Sequence, residues 1–151
     1  MADVTRRANI AWRGNIREGS GEIELATSGA AGKLPVSLPT RASEDGNGQT
    51  SPEELIAASH AGCYAMALSM VLTQGGNPPE SLDASAEVGL AEASGGGYEV
   101  THSNLTVRGQ VPGLDADGFE KAAKEAEQAC PISNALRGNV EISVNAQLES
   151  S

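Results

Sequence analysis

The chain has 151 residues, 39% of them hydrophobic and 3% aromatic, and a formal net charge of -10. That length suits a single domain spanning 1–151, and the balance is that of a globular chain, not a disordered one. Strong acidity argues against nucleic acid, which is held by Lys and Arg, and against anionic membrane surfaces, so neither is expected as a partner.

The first third reads as short strands. Ile10 and Trp12 alternate, as do Ile23 and Leu25, and then Leu34, Val36 and Leu38. Pro35 and Pro39 confine the third piece to a sheet edge or an extended arm. The N-terminal stretch MADVTRRANIAWRG has no apolar run of signal-peptide type, and no stretch approaches the ~18–20 apolar residues of a membrane span. A cytoplasmic location is the expectation.

From Leu55 the period becomes helical through Ile56, Ser59, Cys63, Met66, Ala67, Met70 and Val71, predicting a buried central helix. Ser51, Pro52 and Glu54 mark its start as cap, first-turn proline and capping-box partner. Gly75-Gly76 and Asn77-Pro78-Pro79 end it. Alternation at Leu82–Leu90 and again at Leu105–Val111, across a Gly-rich turn, predicts an antiparallel hairpin. A second helix is expected from about Asp117 to Cys130, restarted or kinked by Pro131. A last strand alternates through Val140, Ile142, Val144, Ala146 and Leu148. Strands are not strictly interleaved with helices, so the class is α+β with a largely antiparallel sheet.

The chemistry rests on two cysteines, Cys63 and Cys130. In a reducing compartment they are core thiols, metal ligands or a redox pair, and their wide spacing excludes a CxxC motif. A nucleophilic thiol needs a nearby cation, because a thiol of pKa about 8.5 is only a few per cent ionised at neutral pH. Arg13, Arg17 and Arg41 precede the helix and are the candidates, with Glu53 or Glu54 to orient one of them. His60 and Cys63, spaced three apart, are conceivable zinc ligands, although a closed site would take every Cys and His in the chain. Cys63 with His102 is formally a hydrolase dyad.

The segment SPEELIAASHAGCYAMALSM at 51–70 resembles the first cysteine motif of the osmotically induced protein C (OsmC) family. AEQACPISNALRGNVEISV at 126–144 resembles its second, and NIAWRGNIREGSGEI at 9–23 and VPGLDADGF at 111–119 are similar too. The resemblance implies an OsmC-like intertwined homodimer and a thiol-dependent peroxidase that reduces organic hydroperoxides in stress defence. It implies catalytic roles for Cys63 as the attacking thiol, Cys130 as the resolving thiol, Arg41 as the activating arginine and Glu53 as its partner. Arg17 falls where the related hydroperoxide-resistance branch keeps its arginine. The resemblance implies no bound cofactor and no metal, and an external dithiol reductant such as dihydrolipoyl groups on a lipoylated protein. Two other readings stay open: a stress-related binding dimer with idle thiols, and the Cys–His hydrolase. Glu53 and Cys63 lie ten residues apart, about 15 Å along a straight helix, so if both serve one site the helix breaks, Arg41 spans the gap, or Glu53 comes from a partner chain.

Overall fold

Short alternating runs punctuated by glycine turns, followed by one long apolar helix, give the chain its order. The computed structural model describes residues 3–149. The elements are β1 (Asn9–Arg13), β2 (Ser20–Glu24), β3 (Lys33–Val36), α1 (Leu38–Arg41), α2 (Pro52–Gln74), β4 (Ser81–Glu92), β5 (Tyr98–Gln110), α3 (Ala116–Ala129), α4 (Pro131–Leu136) and β6 (Glu141–Leu148). The architecture is mixed α+β, and the backbone divides into two compact units, one ending at Pro52 and the other beginning at Glu53.

The first unit is an antiparallel meander in the order β1-β2-β3. Its register stacks apolar residues across neighbouring strands, Ile10 opposite Ile23 and Ile23 opposite Leu34. Pro35 sits in an edge strand, where its missing N–H breaks no ladder bond. Leu38, expected to continue that strand, instead opens the single helical turn α1. Ser37 is its extended N-cap and Pro39 lies in the first turn, where a fixed φ and an absent N–H suit a helix start.

The second unit holds a three-stranded sheet in the order β4-β5-β6. The β4–β5 hairpin is antiparallel as expected, while β6 runs parallel to β5. A parallel neighbour needs a crossover, and α3 and α4 provide it. Asp115 caps α3 by accepting from Gly118 N at 2.8 Å, and its small face of Ala122, Ala123 and Ala126 is buried. The core joins Tyr64, Leu68 and Leu72 of α2 to Leu105 and Val107 of β5 and Phe119 of α3. Phe119 is 1% exposed, and burying such a ring contributes about 1.5–3 kcal/mol. Gly109 makes room for it: a Cβ there would lie 2.7 Å from Phe119 Cζ.

The helix α2 departs from expectation in two ways. It is buried along one face only, leaving Met66 71% and Met70 46% exposed, so these methionines are not core. It is also long and apolar enough to pass for a membrane span by length and composition, contrary to the reading of the sequence. Its fully buried His60, Tyr64 and Leu68 give it the placement of a core helix.

Candidate functional site

Within the second unit, the alternation of β5 turns Ser103, Leu105 and Val107 to the buried side. The face of α2 that meets this side carries His60 and Tyr64, and the next turn of the chain around it is the α3–α4 junction. There Pro131 removes an N–H and forces a new helix start, and Cys130 becomes the N-cap of α4 in extended conformation. Its sulfur accepts from Ser133 N at 3.4 Å.

Cys63, 67 residues earlier in the chain, faces this same junction. It is half-buried and Cys130 is fully buried, and both are free thiols. Burial pushes the Cys63 thiol up from its ordinary pKa. A hydrogen bond from the Ile132 backbone N–H opposes that shift, and hydrogen-bonding and charge interactions with the Cys130 sulfur add to it. Cys63 and Ile132 both pack against the core cluster that contains Cys130, and the Ser133 N–H serves the Cys130 sulfur.

A buried polar network surrounds the pair. His60 Nδ1 lies 2.6 Å from Ser103 Oγ, and Nε2 lies 2.7 Å from Ser133 Oγ. Burial lowers the His60 pKa, partly offset by the Glu127 carboxylate, so the ring is neutral at neutral pH. Tyr64 donates its hydroxyl to Ala123 O at 2.9 Å. Its pKa is pushed up by burial, then by Glu127 and by Cys130. Glu127 pairs with Arg137 at 2.8 Å, an ion contact outside hydrogen-bond alignment, while Gln128 Nε2 donates to its Oε2 at 2.8 Å.

Comparison with known proteins decides the family. The model of the OsmC-like protein family matches residues 44–145. The chain is 35% identical to the Peroxiredoxin OsmC of Escherichia coli K12, covering 97% of this chain and 99% of that protein. The chain belongs to the OsmC-like family. It is also 31% identical to an organic hydroperoxide resistance protein of Xanthomonas axonopodis pv. citri, over 83% of this chain and 87% of the relative. Among solved structures, the organic hydroperoxide resistance protein OsmC of Legionella pneumophila superposes with a TM-score of 0.74 at 27% identity, covering 97% and 99% of the two chains. The organic hydroperoxide resistance protein OhrB of Bacillus subtilis gives 0.72 at 27% identity, covering 93% and 98%.

Of the four residues that the OsmC resemblance singled out, the structure brings Cys63 and Cys130 together. Arg41 closes α1 in the first unit, where it borders an apolar cleft of about 150 Å3 with Trp12, Ile16, Ile23, Val36 and Leu38. Arg17 lies exposed in the β1–β2 turn, where its backbone N–H donates to Asn15 Oδ1 at 2.9 Å. Glu53 opens the second unit and is buried. It shares the unbroken α2 with Cys63, so the ten-residue gap along the helix axis stands.

The competing readings of the histidines do not survive the geometry. Both ring nitrogens of His60 are taken by serine hydroxyls, and among the described residues no three of His, Cys, Asp and Glu gather as metal ligands. His102 neighbours Ser103 on β5, so its side chain points to the sheet face opposite α2 and Cys63. There it lies over Gly89, at the bulge where the β4–β5 register shifts. No Cys63–His102 dyad forms.

The sequence reading missed Ser103, Ser133 and the Ile132 N–H. Ser103 carried one usable signal, a polar residue in phase with Leu105 and Val107 on the buried side of a strand.

Proposed function

We propose that this OsmC-like protein is a two-cysteine peroxidase that reduces organic hydroperoxides to alcohols in stress defence. The observation that carries the reading is that Cys63 packs against the buried cluster that contains Cys130, from a position 67 residues earlier in the chain, with both thiols free. Names of relatives support it: one is a peroxiredoxin and others are organic hydroperoxide resistance proteins.

In the first step the Cys63 thiolate attacks one peroxide oxygen. The O–O bond breaks, Cys63 becomes a sulfenic acid, and the other oxygen leaves as alkoxide and takes a proton to give the alcohol. Burial and Cys130 both hold the resting thiol protonated, so ionisation calls for a cation. Arg41 supplies it, favouring thiolate and stabilising charge on the leaving oxygen, and Glu53 orients the guanidinium. In the second step Cys130 attacks the sulfenic sulfur. The S–S bond forms, the S–O bond breaks, and hydroxide leaves with the Cys130 proton as water. An external dithiol then reduces the disulfide and is itself oxidised; dihydrolipoyl groups suit this chemistry.

An organic tail on the substrate is favoured over hydrogen peroxide because the tail gains from burial. A tail burying on the order of 100 Å2 would gain about 2.5 kcal/mol, close to a hundredfold in affinity. Exposed Ile10, Trp12 and Ile16 in the first unit, and Met66 and Met70 in the second, favour a homodimer, which would cover them. Cys63→Ser should abolish consumption of cumene hydroperoxide in folded protein. Retention of more than about a tenth of wild-type turnover contradicts the assignment.

A further inference from the structure

We propose that His60 is a positioning residue for disulfide closure, acting through Ser133 on the turn that seats the Cys130 sulfur. The proposal rests on the two-cysteine reading above. His60 stands three residues before Cys63 on α2 and is fully buried. Through its two nitrogens it ties α2 to β5 at Ser103 and to α4 at Ser133. Ser133 in turn gives its backbone N–H to Cys130 Sγ, and its neighbour Ile132 packs, as Cys63 does, against the core cluster that contains Cys130. One imidazole thus clamps the helix of one thiol to the turn that seats the other.

A neutral imidazole has one donor and one acceptor, which together serve two hydroxyls. Three buried polar side chains are tolerated only because each is satisfied. Closure demands more than proximity. The Cα atoms of a disulfide must lie within roughly 4.4–6.8 Å, and a misplacement of about 1 Å can slow an oriented reaction on the order of a hundredfold. The first step needs only Cys63, its cation and the peroxide. Loosening the clamp should therefore slow closure and spare sulfenic acid formation.

The amide nitrogen of Gln falls near the position of imidazole Nε2, and that of Asn near Nδ1. His60→Gln keeps the Ser133 contact, whereas His60→Asn keeps only that to Ser103. Rapid-quench mass spectrometry after one equivalent of cumene hydroperoxide resolves the two steps. His60→Asn should slow Cys63–Cys130 closure tenfold or more, equivalent to at least about 1.4 kcal/mol, and should accumulate a dimedone-trappable sulfenic acid at an ordinary rate. His60→Gln should restore closure to within about threefold of wild type. Ser133→Ala, which deletes one hydroxyl, should reproduce the His60→Asn defect and serves if that variant does not fold. Wild-type closure in Ser133→Ala, equal slowing of both steps, or equal defects in the Gln and Asn variants each overturn the positioning role. Absence of any disulfide in the wild type overturns the two-cysteine reading instead.

Discussion

Replacing His60 with Gln should remove a specific component of acid sensitivity from the second unit. In the folded chain the ring is packed against Ser103 and Ser133, with burial lowering its pKa and the Glu127 carboxylate only partly restoring it. In the unfolded chain it titrates near its ordinary value of 6.5. A folded pKa below the unfolded one means that the unfolded state binds the proton first as pH falls. Stability is therefore fully present above pH 6.5 and declines below it, until the folded ring also protonates. One proton sets the slope at no more than about 1.36 kcal/mol per pH unit. From pH 6.5 to 5.0 the largest loss is then about 2 kcal/mol, or roughly 1 M in urea midpoint for an m-value near 2 kcal/mol/M. Carboxylates contribute their own acid dependence, but it is common to wild type and variant. The quantity to follow is the difference in unfolding free energy between wild type and His60→Gln, from urea titrations by far-UV circular dichroism between pH 5 and 8. It should be flat above pH 6.5, and below it wild type should lose stability relative to the variant. A difference that does not change with pH would refute the assignment of a neutral buried His60.

Two further perturbations test other parts of the account. Arg41→Ala should raise the Cys63 pKa and move the alkylation rate profile toward alkaline pH; a shift produced by Arg17→Ala and absent in Arg41→Ala would transfer the activating role to Arg17. Gly109→Ala should destabilise the protein by about 1–3 kcal/mol, because the new methyl meets the Phe119 ring at 2.7 Å and Leu82 at 2.9 Å; an unchanged urea midpoint would contradict this packing.

Much of the fold was legible because periodicity reports on which side of an element is buried. The alternation of β6 and the Pro131 restart stand where the sequence pattern put them, whereas β5 begins at Tyr98, well ahead of the alternation at Leu105–Val111. Leu38 was misread because alternation continues through it, while Pro39 suits a helical first turn as well as an extended arm. The pattern within β6 does not reveal that it lies parallel to β5, because strand direction is set by the α3–α4 crossover rather than by alternation. Met66 and Met70 looked like core because helical spacing marks a stripe without saying what covers it.

The candidate site divides along similar lines. Cys63 and Cys130 stood out by residue type and by motif. The His60 clamp did not, since its partners lie 43 and 73 residues away and serine carries no signal of its own. Nor did the Ile132 N–H, a backbone donor that any residue type at that position would provide. Roles that rest on long-range pairing of common groups leave little trace in a single sequence.

The central claim is that Cys63 reacts and Cys130 closes on it. The most direct measurement is peptide mass spectrometry of the reduced, folded wild type after one equivalent of cumene hydroperoxide. The account predicts loss of both thiols and recovery of a disulfide-linked pair of peptides containing Cys63 and Cys130. Sulfenic acid on Cys63 with Cys130 still reduced, or both thiols intact with peroxide unconsumed, would contradict it.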